Sequence, residues 1–236
     1  MSPVHRFAIA LALVAASAAP AARAGAQVGN LPEQSPFRDL EYRQELAFFG
    51  GWYKAGRDPA RVAPRDGPMF GVRYDLRIGG PAYFTARLAH VSSERTVIDP
   101  RLAAPDRVLG EESWSIALAD VGIALNLTGM KSWHGLVPVV QGGLGVASDF
   151  KGGADAGTWR FGTPFLLTLG AGVKWVSTSR FQIRGDITNN MYQIKYPGLY
   201  YQPSADGSAV LEPDQARSVW KANWAFTLGG SYLFFR

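Results

Sequence analysis

The sequence predicts an all-β fold, an eight-stranded antiparallel up-and-down transmembrane β-barrel preceded by a cleavable signal peptide. Three observations lead to this prediction. Eight stretches alternate apolar with polar residues, the polar faces carry charges of both signs, and the connections between the stretches alternate between short and long. Alternation with a period of two is typical of a strand that has two different faces.

Residues 1–26 have the features of a secretory signal peptide. His5 and Arg6 precede the apolar run FAIALALVAASAA, and the segment ARAGA offers cleavage after Ala24 or Ala26. The alternative, a membrane-anchoring helix, is disfavoured because the apolar run is short for a span. The chain contains no cysteine, which excludes a disulfide scaffold and a lipid-modified N-terminal cysteine.

The net charge and the next segment add little about function. The formal charge of +5 falls to about +3 once Arg6 and Arg23 leave with the signal peptide, which is too small to predict a nucleic-acid partner. Residues 27–42 contain two prolines and little periodicity, so we predict a periplasmic lead-in segment, in which Ser35-Pro36 favours one helical turn. The barrel is predicted to span residues 43–236.

The predicted strands lie near residues 43–54, 68–78, 82–92, 113–128, 134–148, 163–176, 180–194 and 219–235. The segment RFQIRGDITNN shows their pattern, since Phe181, Ile183 and Ile187 alternate with a polar set that includes Arg184 and Asp186. In a water-soluble barrel the apolar face would form the core. In a bilayer the arrangement inverts, and the charges point into the lumen.

The polar faces favour the membrane arrangement. Four acids and five bases on these faces nearly cancel, as charges inside one lumen must, and glycines beside them leave room for long side chains. The apolar faces are broad and aromatic, which suits contact with acyl chains. The predicted lumen charge network consists of Glu45, Arg73, Asp75, Arg77, Arg87, Asp120, Lys174, Arg184 and Asp186.

The connections support the same reading. Short connections, GGP, GMKSW and STS, alternate with long ones near residues 55–67, 93–112, 149–162 and 195–218. This alternation is expected of a membrane barrel with tight periplasmic turns and long external loops. Most stretches reach the roughly 9–11 residues that a tilted membrane strand needs, and closure satisfies the backbone of every edge strand in hydrocarbon.

The C-terminal stretch WAFTLGGSYLFFR resembles the sorting strand of Gram-negative outer-membrane proteins, although it closes on Arg236 rather than on phenylalanine. The hairpin TPFLLTLGAGVKWVSTSRFQIRGDITN resembles the corresponding hairpin of small eight-stranded barrels of the OmpA/OmpX type. The resemblance implies residence in the cell outer membrane, contact with its lipids, and recognition by the barrel-assembly machinery during biogenesis. The residues that fit the sorting pattern are Trp224, Phe226, Leu228, Tyr232 and Phe234.

One pattern resembles a catalytic motif. His90 and Ser92 lie two residues apart on the outward face of the third strand, and Glu94 follows on the same face. The arrangement resembles the His-x-Ser pair of outer-membrane lipid A deacylases, in which histidine activates serine, but Ser93 stands where that motif has asparagine. The reading as rim residues is favoured. No phosphate loop, zinc constellation or nucleophile elbow occurs, so we predict no cofactor and no metal.

A non-enzymatic role is therefore favoured. We predict a barrel with a charge-plugged lumen, because eight strands enclose a space that side chains fill, and a role in envelope integrity or in binding an external ligand through the long loops. A narrow solute or ion channel and a lipid A-modifying enzyme are the alternatives. Aromatic residues near the strand ends suit a headgroup girdle or loop packing: Trp52, Tyr53, Trp114, Trp159, Trp175, Tyr196, Tyr200, Tyr201 and Trp220.

Overall fold

The computed structural model describes residues 35–151, 154–155, 158–177 and 180–235. The predicted signal peptide and residues 27–34 of the lead-in lie outside the described residues. Within the described ranges, ten strands and one short 3-10 helix, Gly198–Tyr201, follow in chain order. The strands are β1 (Phe37–Asp39), β2 (Gln44–Lys54), β3 (Gly67–Gly79), β4 (Ala82–Ile98), β5 (Val108–Asn126), β6 (Lys131–Trp133), β7 (Leu136–Ser148), β8 (Phe165–Val176), β9 (Phe181–Lys195) and β10 (Ser218–Phe234).

The eight long strands close into a barrel. Each pairs antiparallel with its neighbours in the order β2, β3, β4, β5, β7, β8, β9, β10, and β10 pairs with β2 over eleven residue pairs. Because the ring is closed, every long strand has a hydrogen-bonding partner on both sides. The predicted eight-stranded antiparallel barrel is confirmed. No helix in the described residues is long and apolar enough to cross a membrane.

The two three-residue strands were not predicted. Strand β1 pairs antiparallel with β6, which lies inside the GMKSW turn, and Phe37 faces Trp133 in this register. Two further backbone bonds, from Leu40 N to Met130 O at 2.9 Å and from His134 N to Pro36 O at 2.8 Å, extend the contact. The predicted helical turn at the lead-in is therefore wrong, because the backbone there is extended to pair with the turn.

Strands β4 and β5 extend further than predicted. Residues 93–112 were predicted as a loop, but pairing continues from Ser93 with Trp114 up to Ile98 with Val108, interrupted by a bulge beside Val97. On β4 the buried Ser93 and Arg95 alternate with the exposed Glu94, whereas residues 108–113 of β5 are all exposed. The true connection covers only residues 99–107.

The wall is inverted relative to a water-soluble barrel. Phe181 exposes 63% of its surface on the outside, whereas Arg184, three residues along the same strand, exposes only 2%. Ile187 is likewise exposed and Asp186 is buried. The predicted arrangement, with apolar side chains outward and charges inward, is therefore confirmed.

Inward glycines give the buried charges their space. A Cβ atom at Gly172 would lie 2.3 Å from the Asp186 Oδ1 atom and 2.6 Å from the Gly185 carbonyl oxygen. Its neighbour Gly185 faces outward, where the nearest atom, on the Leu228 side chain, is 3.9 Å away. A side chain is thus tolerated at Gly185 but displaces the buried carboxylate at Gly172.

We predict that Gly172→Ala lowers the free energy of unfolding by about 1–3 kcal/mol, because overpacking pushes Asp186 from its partners. Gly185→Ala, the matched control on the outer wall, should change it by less than about 0.5 kcal/mol. Urea unfolding of both variants in lipid vesicles measures the difference. Equal stability of the two variants would contradict this account of the lumen.

Candidate functional site

Eight of the nine predicted lumen charges are buried inside the barrel. Arg77 is the exception: it lies half-buried at the short-turn end, and its Nη1 atom donates to the Leu40 carbonyl at 2.8 Å. The lead-in segment brings this carbonyl within reach and holds Arg77 apart from the rest. The remaining eight, which we call the lumen network, are four acids and four bases: Glu45, Asp75, Asp120, Asp186, Arg73, Arg87, Lys174 and Arg184.

Arg184 lies at the centre of this network. Its Nη1 atom is 2.9 Å from Asp75 Oδ2, its Nε atom is 2.9 Å from Asp186 Oδ2, and its Nη2 atom donates to Gln141 Oε1 at 2.7 Å. Asp75 also faces Lys174 Nζ at 3.5 Å, and the same ammonium lies 2.7 Å from Glu45 Oε2. These six side chains, contributed by β2, β3, β7, β8 and β9, join opposite walls of the barrel.

The other half of the network is equally tight. Arg73 Nη1 lies 3.0 Å from Asp186 Oδ2, and Arg87 Nη2 lies 2.7 Å from Asp120 Oδ2. Arg87 also donates to Asn190 Oδ1 at 2.6 Å. The cavity beside Arg73, Arg87 and Asp120 measures about 10 Å³, which is room for about one water molecule. The three side chains therefore leave little free space between them.

A cluster of aromatic and aliphatic side chains closes the long-loop end, and we call it the cap. Trp159 and Phe161 enter it from the connection after β7, Tyr200 from the connection after β9, and Val62 from the connection after β2. Tyr53 and Tyr192, whose hydroxyls are 2.9 Å apart, lie on the wall below. Three external connections thus fold into the mouth of the barrel.

The aromatic residues for which a girdle or loop packing was predicted divide between the two. Trp52, Trp175 and Trp220 are exposed on the outer wall, where a girdle residue belongs. The buried residues among the predicted set belong instead to the cap: Tyr53, Trp114, Trp159, Tyr196 and Tyr200. Trp114 and Asp120 are an even number of residues apart on β5, so the alternation of faces could have predicted that Trp114 points inward. Residues in loops do not alternate between two faces, so this signal does not exist for them.

An ion pair between two tryptophans holds the cap. Arg95 is fully buried, and its Nη2 atom lies 2.6 Å from Asp155 Oδ2. The guanidinium lies 4.1 Å from the ring centroid of Trp114 and 4.9 Å from that of Trp159, within the range of a cation–π contact. Asp155 Oδ1 also accepts a bond from Trp159 N at 2.8 Å, which fixes the loop that carries it. The sequence reasoning missed Arg95, because it placed residue 95 in a loop.

Asp58 fixes a second connection into the cap. Its carboxylate accepts bonds from the Tyr196 hydroxyl, from Ala60 N at 3.2 Å and from Ala63 N at 2.6 Å. Burial, and then the hydrogen bond to Asp58, raise the pKa of Tyr196 above its usual value. The phenol therefore remains a donor at neutral pH. Lys221 Nζ completes the contact by donating to Pro64 O at 2.8 Å.

The possible catalytic triple is not assembled. His90 lies on the outer wall as predicted, with its ring centroid 4.9 Å from that of Phe70. Its Nδ1 atom is buried without a hydrogen-bond partner, and among the described residues no hydrogen bond joins His90 to Ser92 or Glu94. Without that hydrogen bond His90 is not placed to activate Ser92. Among the described residues no carboxylate accepts a hydrogen bond from the imidazole ring either.

The predicted sorting residues lie on the outer face of β10. Trp224, Phe226, Leu228 and Tyr232 are exposed there, and Phe234 is half-buried with its ring centroid 6.3 Å from that of Tyr74. Strand β10 closes the barrel by pairing with both β2 and β9. Recognition of these residues by the assembly machinery stays a prediction.

Solved structures share this architecture. Neisserial surface protein A matches with a TM-score of 0.51 at 12% identity, over 81% of this chain and 97% of that one. OprG of Pseudomonas aeruginosa matches with 0.49 at 8% identity, over 83% and 98%, and the N-terminal barrel of OprF from the same organism with 0.46 at 14% identity, over 82% and 98%. No protein-family model and no curated protein sequence matches the chain.

The chain folds as a small outer-membrane β-barrel of the OmpA/OmpX type. The outer-membrane location predicted from the sequence follows from this fold together with the apolar outer wall. At these identities the likeness establishes the fold, so the function must be argued from the lumen and the loops.

We predict that Arg184→Gln lowers the free energy of unfolding by about 3–5 kcal/mol, because it removes one base from the buried network and leaves four acids against three bases. Asp75 then keeps only Lys174, and Asp186 keeps only Arg73. The double variant Arg184→Gln/Asp75→Asn should cost less than the sum of the two single variants, since the pair is coupled. Urea unfolding in vesicles measures this double-mutant cycle, with the exposed Arg43→Gln as a control. Additive costs would show that the ion pair contributes nothing.

We predict that His90→Ala leaves the lipid A of expressing cells unchanged relative to wild type, because His90 and Ser92 form no dyad. Mass spectrometry of extracted lipid A, compared with cells lacking the protein, provides the measurement. An acylation pattern that changes with the wild-type protein and reverts with His90→Ala would establish catalysis.

Proposed function

We propose that this protein is a non-conducting outer-membrane barrel whose role is structural, supporting the envelope and presenting ordered external loops. The observation that supports it is the filling of the lumen at three successive levels. An enclosed ion-pair network occupies the middle, the aromatic cap occupies the long-loop end, and an apolar cluster occupies the short-turn end.

The three levels are continuous. At the short-turn end, Tyr83, Val137 and Val139 are buried together, and Lys174 Nζ lies 4.9 Å above the Tyr83 ring. At the other side of the network, Arg73 lies 5.7 Å from the ring of Phe49, which belongs to the cap. This succession of packed side chains supports the proposal that water and ions do not pass through the lumen.

The charges argue against the channel alternative in a second way. A conducting pore exposes its charged groups to water and to passing ions, whereas each base of the lumen network already lies within 3.0 Å of a carboxylate. Breaking one pair costs several kcal/mol because it leaves a buried charge without a partner. An ion crossing the network would have to disrupt these pairs.

The external loops support the presenting role. Asp58 and the Arg95–Asp155 pair hold two of the connections against the cap, so their backbones are ordered before any partner arrives. Apolar side chains remain exposed on this side, including Phe150 at 84%, Val108 and Leu109. Ordered loops lose little conformational entropy on binding, and apolar side chains give a partner surface to bury. Binding of an external ligand by these loops is therefore part of the proposal.

We predict that the purified wild-type protein gives no reproducible single-channel steps in a planar bilayer. The cap variant Arg95→Ala/Asp155→Ala removes the ion pair from the mouth but leaves the lumen network in place, so it should also be silent. Reproducible steps from the wild-type protein would contradict the proposal. Steps from the cap variant alone would show that the cap, and not the network, provides the seal.

A further inference from the structure

Four cations lie unpaired on one side of the external rim. Lys54 ends β2, Arg57 follows it, Lys195 ends β9, and Arg217 immediately precedes β10. All four are exposed, and none lies within 4.0 Å of a carboxylate in the described part of the chain. We call these residues, Lys54, Arg57, Lys195 and Arg217, the rim patch.

The sheet register places Lys54 and Lys195 on either side of β10, at the two ends of one stretch of that strand. Strand β10 lies between β2 and β9, and it pairs Trp224 with Lys54 on one side and Ser218 with Lys195 on the other. Arg217 continues the second pairing, because Tyr196 N donates to its carbonyl at 3.0 Å. Six residues separate Ser218 from Trp224, roughly 20 Å along a tilted strand. This length suits a headgroup that carries several anionic groups better than a single small anion.

Two other exposed cations of the external side have carboxylate partners. Arg65 Nη1 lies 2.5 Å from Glu111 Oε1, and Lys151 Nζ lies 3.1 Å from Glu112 Oε1. These acids belong to β5, on the other side of the barrel from β10 in the strand order. The acids that precede Arg217 in its own loop, Glu212 and Asp214, form no ion pair with it. The rim is thus electrically asymmetric.

The depth of the patch is set by tryptophan. Trp220 and Trp224 expose 56% and 46% of their surfaces on the outer wall of β10, between the two ends of the patch. Exposed tryptophans on a membrane barrel lie at the headgroup level. Below them Phe226 and Leu228 face the acyl chains. Lys54, which pairs with Trp224, therefore lies at the level of the lipid phosphates, and Lys195 and Arg217, at the Ser218 end of β10, lie further out.

We propose that the rim patch binds the phosphate groups of a phosphorylated glycolipid in the outer leaflet, as an annular lipid held beside β9, β10 and β2. Lysine and arginine supply several donors to phosphate oxygens. Trp220 and Trp224 pack against the sugar and the upper acyl chains, and Phe226 and Leu228 against the chains below. We infer a lipid rather than a soluble phosphate as the ligand, because a soluble phosphate would contact the cations but not the apolar wall beneath them.

The test uses the full-length mature protein reconstituted in phosphatidylcholine vesicles that contain bis-phosphorylated lipid A or the same lipid without phosphates. Lipid A that remains bound after detergent extraction is quantified as an apparent affinity. We expect Lys54→Gln/Lys195→Gln to weaken retention roughly twenty-fold to thirty-fold, at about fivefold for each cation removed near the membrane surface. Lys54→Arg/Lys195→Arg, which keeps both charges, should retain lipid as the wild type does.

The matched control removes two paired cations from the same external side. Arg65→Gln/Lys151→Gln changes the net charge equally and should leave retention within about twofold of wild type, because exposed charges more than about 10 Å apart are largely screened. Circular dichroism verifies that each variant is folded. If Lys54→Gln/Lys195→Gln does not fold, the single variant Lys54→Gln replaces it in the test.

Four results would overturn the proposal. If Lys54→Gln/Lys195→Gln retains as much lipid A as the wild type, the rim patch does not bind it. If the control variant loses as much lipid A, retention depends on the net charge of the protein and not on a site. Equal retention of the phosphate-free lipid would indicate adsorption through acyl chains alone. Inorganic phosphate added as a competitor should displace little lipid, and complete displacement would identify a free anion as the ligand instead.

Discussion

The ion pairs that Arg184 makes with Asp75 and Asp186 hold the middle of the lumen, and the rest of the barrel depends on them. Buried ion pairs add little stability compared with well-packed apolar side chains, so their value lies elsewhere. A strand that slips by one residue exchanges its two faces. Such a slip would carry these side chains to the lipid wall, at about 2–4 kcal/mol for each arginine or lysine near the midplane. The network therefore specifies the register and the orientation of the strands. Its burial is tolerated because four acids neutralise four bases.

This dependence explains which features the sequence could predict. Period-two alternation is local, so Phe181 and Arg184 could be assigned to opposite faces without knowledge of the fold, and the strand order followed from the short and long connections. Strand β1 escaped prediction because three residues show no periodicity, and it is extended only because β6 lies beside it. Arg77 alternates in step with the inward residues of β3, so the pattern placed it in the network. Its guanidinium instead donates to the Leu40 carbonyl, which is distant in sequence.

The cap shows a second limit, which is specific to aromatic residues. A tryptophan near a strand end suits a headgroup girdle and a packed mouth equally well, since its ring is apolar with one polar edge. Parity separates the two cases on a strand: Trp52 faces outward, and Tyr53 beside it faces inward. Trp159 and Tyr200 lie in loops, where no parity exists. Their burial depends on Arg95 and Asp155, a pair formed between a strand extension and a loop that local patterns do not connect.

Cations have opposite roles in the two regions of this barrel because their surroundings differ. In the lumen network, water is excluded, so each of the four bases has its carboxylate and is closed to any ligand. On the β9–β10–β2 side of the rim, Lys54 and Lys195 lie in water beside an anionic leaflet, where no internal partner is needed and an external phosphate can take that place. The lumen network has no net charge, so it adds nothing to the positive charge at the rim. The features that prevent the lumen from binding or conducting therefore direct its interactions to the rim and the loops.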